Sequence, residues 1–329
     1  MRRIVIVLAT LALAACGTNA ATPIAQLPVT STTSTPATSI IPEATTTTVT
    51  PSTTTTASTS TTTSVAQVTT TSASPSTTKA NGTIVVAPYF YIDEAGHPNR
   101  TGPFVAPVAR EVDQTVAVAR AVIEKLLAGP TSGERQGLPA ISTAIPAGVR
   151  LLGLTIDEDI ATIDLSKEFA ATDTSPTVAQ RAAQVVFTLA RFDSVAEVLF
   201  RQEGRPVAIQ IGDGNLVSRP VGIHDYLEFA AALSVESPIY GGPGGNPLRV
   251  TGFGAAFEAT FQYALTDDDG LIIEEGIAMT NNGTGWGGFD FTIDYDVDRR
   301  QVGALIVWVN SAQDGSQIDV REYPVVLTP

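Results

Sequence analysis

Cysteine occurs once in the 329 residues, at Cys16, and histidine, methionine and tryptophan twice each. A single cysteine excludes an intrachain disulfide and any zinc site built on thiolates. The two histidines, His97 and His224, show no HxxH or HExxH spacing, so a histidine-ligated metal has no support. Basic residues are scarce: 19 Lys and Arg against 33 Asp and Glu give a formal net charge of −14. A surface of that sign disfavours nucleic acid and anionic lipid. No GxSxG, SxxK or Cys/His nucleophile arrangement occurs. The glycine clusters at 241–245 and 283–288 do not open helices, which argues against a phosphate cradle.

Apparent metal motifs also fail on spacing. An EF-hand loop with its glycine at Gly270 would run from Leu265 to Gly276, two positions that need carboxylates. Asp294, Asp296 and Asp298 lack the glycine and final glutamate of such a loop and read as a solvated strand face. No cofactor is implied. Carboxylate pairs for sugar hydrolysis stay open, because an acidic chain offers many.

What is present begins with a leader. Arg2 and Arg3 precede an apolar run from Ile4 to Ala15 that is too short to span a bilayer by itself. Leu13-Ala14-Ala15-Cys16 resembles the bacterial lipobox, which implies a signal peptide over residues 1–16, lipidation of Cys16, and an extracytoplasmic protein anchored to the cell membrane. Residues 17–80 are mostly Thr, Ser, Ala and Pro, with no aromatic residue. That composition cannot form a core and predicts a disordered tether. Its random-coil span would be on the order of 45 Å, its polyproline-like limit on the order of 190 Å.

The most defined stretch runs from Thr143 to Phe169. Leu151–Ile156, an acidic reversal at Asp157-Glu158-Asp159, and Ile160–Leu165 read as a β-hairpin. Ile163 and Leu165 share one face and Thr162 and Asp164 the other, the pattern of a sheet buried on one side. Around it, Thr83–Ile92 and Phe104–Val112 are strand-like. Ala119, Val122, Ile123 and Leu126 keep helical spacing up to a stop at Gly129-Pro130. Ser175 as N-cap with Pro176 at the first helical position predicts a second helix to about Arg191, with Val178, Ala182, Val185 and Leu189 as its apolar face. Val195–Arg201 and Pro206–Ile211 read as a further hairpin turned at Glu203-Gly204. The expected fold is therefore α+β, with a small mixed sheet carrying two helices on one face over residues 83–230.

Residues 233–329 show short strands and turns without helical period, as in an all-β sandwich. Phe289, Phe291, Ile293, Tyr295 and Val297 alternate with polar residues in one strand. Leu305–Val309 reads as a central strand with Trp308 as a core candidate, and Asp269-Gly270 and Asp314-Gly315 are hairpin dipeptides.

Three segments in order carry a resemblance: Leu126-Leu127-Ala128-Gly129-Pro130-Thr131, then Ile145-Pro146-Ala147-Gly148 with the hairpin through Ser166, then Ala183–Leu189 followed by Phe192. Together they resemble the GerMN domain of spore-germination lipoproteins, a family with cell-envelope and sporulation associations and no assigned enzymatic chemistry. Ser237-Pro238, Pro247–Gly252, Ala256–Ala259 and Asp314-Gly315-Ser316 resemble the immunoglobulin-like domain of bacterial spore-germination-associated proteins. That implies adhesion or complex formation without catalytic residues.

The resulting expectation is a non-enzymatic, lipid-anchored envelope protein, linked to sporulation and germination or to envelope signalling. Its partner would be an envelope protein or peptidoglycan. The alternative is a peptidoglycan- or carbohydrate-binding module, or a carbohydrate-active enzyme. The candidate interaction surface is the hairpin, with Thr162 and Asp164 outward and Asp157 and Asp159 in a reversal that guards against self-association. A hairpin wholly internal to the domain is the competing reading. For Asp164 the choice is between binding a partner and bonding the adjoining Ser166 turn.

Overall fold

The computed structural model describes residues 82–93, 103–171 and 177–329. The leader with Cys16, the 17–80 tract, His97, Ser175 and Pro176 lie outside the described residues.

The first domain contains β1 (Thr83–Val86), β2 (Tyr89–Asp93), β3 (Phe104–Pro107), β4 (Arg110–Asp113), α1 (Val118–Ala128), the single turn α2 (Ser132–Arg135) and β5 (Ala140–Ser142). The hairpin follows as β6 (Leu151–Asp157) and β7 (Ile160–Leu165), then α3 (Val178–Leu189), β8 (Glu197–Gln202), β9 (Arg205–Pro206), β10 (Ile209–Gln210) and β11 (Leu216–Val217). These strands do not make one sheet. They form a β1–β4 ribbon, a β3-β2-β5 sheet, a β6-β7-β8-β9 sheet and a β10–β11 pair.

This departs from two helices on one face of a single sheet, and the reason lies in α3. Ten of its twelve residues are buried, including Arg181, Gln184 and Thr188, so the helix is enclosed on nearly every side. Its polar stripe serves unpaired backbone. Gln184 Oε1 accepts from the N–H of Ala144 at 2.7 Å and from Thr143 Oγ1, while its Nε2 donates to the carbonyl of Tyr89 at 2.8 Å. Thr188 Oγ1 accepts from the N–H of Tyr89. A helix ringed by elements on all sides can carry buried polar residues only where each finds such a partner. The helix start also differs from expectation: Thr177 is the N-cap, in a reciprocal capping box with Gln180.

The mixed β6-β7-β8-β9 sheet arises from a β7–α3–β8 crossover. β7 and β8 run parallel, with Thr162 beside Leu199 and Asp164 beside Arg201. The expected hairpin at Glu203-Gly204 is present but short: β9 has two residues, and Ile209 pairs with Val217 instead.

The second domain is a sandwich of β12 (Leu233–Ser237), β13 (Leu248–Gly254) and β16 (Gly287–Ile293) against β14 (Thr260–Thr266), β15 (Ile272–Met279), β17 (Gln301–Asn310) and β18 (Gln317–Leu327). The sheet orders are β12-β13-β16 and β15-β14-β17-β18. β17 is central, and Leu305 and Val307 are fully buried. Trp308 is not in the core: it is half-buried on the outer face, with its Nε1 donating to Asn310 Oδ1. The strand from Gly287 ends at Ile293, although Val297 beyond it is still buried.

All described residues fall in one unit of the chain, Ser74–Pro329, and the two domains share a core. Phe187 of α3 stacks on Phe253 of β13 with centroids 6.0 Å apart. Tyr89 stacks on Phe187, and Phe253 meets Trp286. Tyr89 Oη donates to Glu236 Oε1 at 3.0 Å, and Arg191 donates to the carbonyl of Glu236. The edge of β3 is continued by backbone bonds from Tyr240 N–H to Pro107 C=O and from Ala109 N–H to Tyr240 C=O. The guanidinium of Arg321 lies 4.7 Å from the ring centroid of Phe104.

Candidate interaction surface

The β6–β7 hairpin turns on Glu158 and Asp159, both with positive φ (46° and 62°). Two left-handed residues in succession define the tight hairpin turn whose twist matches the strands, and the short side chain of Asp159 tolerates that conformation. The carbonyl of Asp159 accepts from the N–H groups of Ala196 and Glu197, which fastens the turn to the start of β8.

Behind the sheet, Ala161, Ile163, Leu165, Val198 and Phe200 are buried, and Phe169 stacks on Phe200. The opposite face carries Thr155, Thr162 and Leu199 in one cross-strand row. Thr155 is exposed and Thr162 and Leu199 are half-buried. The expected alternation of inward Ile163 and outward Thr162 therefore holds, and the sheet is open on one side.

Asp164 has a different partner from the one anticipated. Its two carboxylate oxygens accept from the N–H of Gly204 at 3.0 and 2.9 Å, and its neighbour Arg201 donates to the carbonyl of the same glycine. Asp164 thus closes the β8–β9 turn, not the turn at Ser166. Gly204 has φ 78°, a conformation open to glycine. Ser166 is fully buried and its hydroxyl accepts from the N–H of Arg150. Asp157 and Asp159 are exposed at the far end of the hairpin. Thr162 is therefore the central outward residue, with Asp157 and Asp159 at the rim and Asp164 committed to the fold.

Leu199 and Arg201 belong to the same face and were missing from the sequence-derived surface. The signal for them is the order strand, helix, strand, which makes the second strand a parallel neighbour of the first. His224 is exposed in the 3₁₀ turn Ile223–Phe229. Among the described residues, no group of three or more His, Cys, Asp or Glu is placed to hold a metal ion. Asp267 accepts from the N–H groups of Asp269 and Leu271, so that acidic run forms an Asx turn.

An open groove of about 650 Å³ lies between α1 and the β1–β4 ribbon, lined by side chains of both signs including Glu111, Arg120, Glu124 and Lys125. A second, of about 600 Å³, lies on the sandwich, with Glu236, Thr251, Asn281 and Asp290 around it. Asp290 is engaged by Arg249 through two hydrogen bonds, and this contact holds its carboxyl below the usual range.

Residues 88–208 match the family described as Germane, sporulation and spore germination. Residues 232–316 match Gmad2, the immunoglobulin-like domain of bacterial spore germination. Among solved structures, the tandem GerMN domains of the sporulation protein GerM from Bacillus subtilis are similar at 18% identity, covering 46% of this chain and 50% of that chain, with a TM-score of 0.35. The first GerMN domain of the same protein is similar at 20% identity over 42% of this chain and 97% of that chain, with a TM-score of 0.32. The chain thus spans half the length of the tandem structure. No curated protein matches it.

Proposed function

The chain carries a GerMN-like domain followed by the immunoglobulin-like domain of bacterial spore germination, and from that premise we propose a non-enzymatic platform that binds an envelope partner. The observation that carries this is the open face of the β6-β7-β8-β9 sheet. Thr162 stands half-exposed at its centre, its hydroxyl without a hydrogen-bond partner among the described residues, while the opposite face is closed by core residues. A sheet face left uncovered beside a free edge invites packing or strand addition by another chain. Lipidation at Cys16 and a tether over residues 17–80 would place this face outside the membrane and within reach of the wall.

The competing reading is a peptidoglycan- or carbohydrate-binding module, and the groove with Glu236, Thr251 and Asn281 is the feature that favours it. Two parallel experiments separate them. In one, the protein is crosslinked in solubilised envelope and recovered with its bound proteins. In the other, it is co-sedimented with purified peptidoglycan. A protein partner captured in stoichiometric amount, with no sedimentation, supports the platform. Saturable sedimentation without a captured protein supports wall binding.

A further inference from the structure

We infer that the free edge of β6 pairs antiparallel with the same edge of a second copy, about a two-fold axis near Leu154. This rests on the reading of the β6–β7 hairpin as an interaction surface and names an occupant for its edge. β6 ends its sheet and has β7 on one side only. It is also an exposed strand: Thr155, Ile156 and Asp157 are all exposed, and Leu152 and Ile156 keep 44% and 37% of their surfaces in solvent. A row of unpaired backbone donors and acceptors flanked by apolar side chains is a template for another strand.

Charge chooses which strand. Exposed Arg150 precedes β6, and Lys167 lies beside it, since the N–H of Ser166 donates to the carbonyl of Arg150. At the other end stand Asp157, Glu158 and Asp159, joined by exposed Glu197 at the start of β8. Among the described residues none of these forms a salt bridge, although Arg150 and Lys167 act on the Glu168 carboxylate and Glu197 acts on Arg219. Residues 150 and 158 lie four positions either side of Leu154, so an antiparallel pair of β6 strands sets Arg150 of each copy against the acidic turn of the other, twice over. Parallel pairing would set acidic turn beside acidic turn. The same residues that discourage indiscriminate association thus select one register.

Two features shape the contact. A β-bulge between Leu151 and Gly153 turns Leu152 outward and leaves Gly153–Asp157 as the regular segment. Glu168, whose carboxylate hydrogen-bonds Ser166, also feels the charges of Lys167 and Arg150. β15, an end strand of the four-stranded sandwich sheet, offers no such match. It carries Glu274 and Glu275, with Glu274 in register with fully buried Leu265, and an inward-pointing charge protects an edge from pairing.

The test is sedimentation velocity on the full-length chain over a wide concentration range, at low and at high salt. The expected result is a concentration-dependent dimer that weakens with salt. Arg150→Glu and Glu158→Arg should each weaken it about tenfold, and the two together should recover most of the loss, with unchanged melting temperatures as the folding control. A monomer at every concentration overturns the inference, and so does a dimer indifferent to all three variants. The assignment of the partner's surface fails separately: if Thr162→Lys, on the face and away from the edge, leaves partner capture intact, the β7 face is not the interface whatever the dimer does.

Discussion

Replacing Phe253 by alanine probes whether the two domains behave as one unit. Phe253 lies between Phe187 of the first domain and Trp286 of its own. It is half-buried, so the loss should fall below the full phenylalanine truncation cost, at about 2 kcal/mol. The rest of the joint includes two backbone hydrogen bonds at Tyr240, the Tyr89–Glu236 and Arg191–Glu236 bonds and the Arg321–Phe104 contact. With the aromatic stack these amount to a coupling of about 5 kcal/mol, enough to make the domains unfold together. The chain supplies its own probes. Both tryptophans, Trp286 and Trp308, lie in the second domain, and α1 and α3 lie in the first. Urea titrations followed by tryptophan fluorescence and by far-ultraviolet circular dichroism should show coincident transitions, displaced together by Phe253→Ala. If the fluorescence transition moves and the helical one stays, the shared core does not couple the domains.

Three further predictions test other levels. Gln184→Leu leaves the buried Ala144 N–H and Tyr89 carbonyl unpaired, which should cost about 2 to 5 kcal/mol in the same titration. Asp225 accepts two bonds from Arg219 and one from the N–H of Gly222, and the Arg219 contact holds its carboxyl below the usual range. Its stabilising effect is present above about pH 4 and is lost as pH falls through its lowered value, so Asp225→Asn should show a shallower stability loss in that acid range. Cys16→Ser should release the protein from the membrane fraction or leave it unprocessed; partitioning like the parent would contradict lipidation.

The hairpin was legible because everything that defines it is local: apolar alternation, an acidic reversal at Asp157-Glu158-Asp159 and the Pro146 and Gly148 turn before it. The sandwich turns at Gly270 and Gly315 were legible for the same reason. What escaped was non-local. Val195–Arg201 read as half of a hairpin because Glu203-Gly204 is a good turn, yet its main pairing is parallel with β7 across a helix. Arg181, Gln184 and Thr188 look like a solvated helix face until the Tyr89 backbone arrives to meet two of them. Trp308 reads as a core candidate because it lies in the apolar run Leu305–Val309, while the pleat of β17 places its neighbours Val307 and Val309 inward. Asp164 has a sequence neighbour in Ser166 and a closer spatial one in Gly204. The N-cap at Thr177 was readable from Thr177-Val178-Ala179-Gln180, a capping-box spacing that the Ser-Pro pair two residues earlier obscured.

The interaction account turns on the outward face of β7, and the most direct measurement is recovery of the crosslinked envelope partner by the parent chain, Thr162→Lys and Ile163→Ala. Thr162 is half-exposed, whereas Ile163 is fully buried. Thr162→Lys should leave the melting temperature unchanged and sharply reduce capture. Ile163→Ala should lower stability by about 2 to 5 kcal/mol and keep capture at temperatures where it stays folded. Normal capture by a folded Thr162→Lys protein would contradict the account and move the search to the immunoglobulin-like domain.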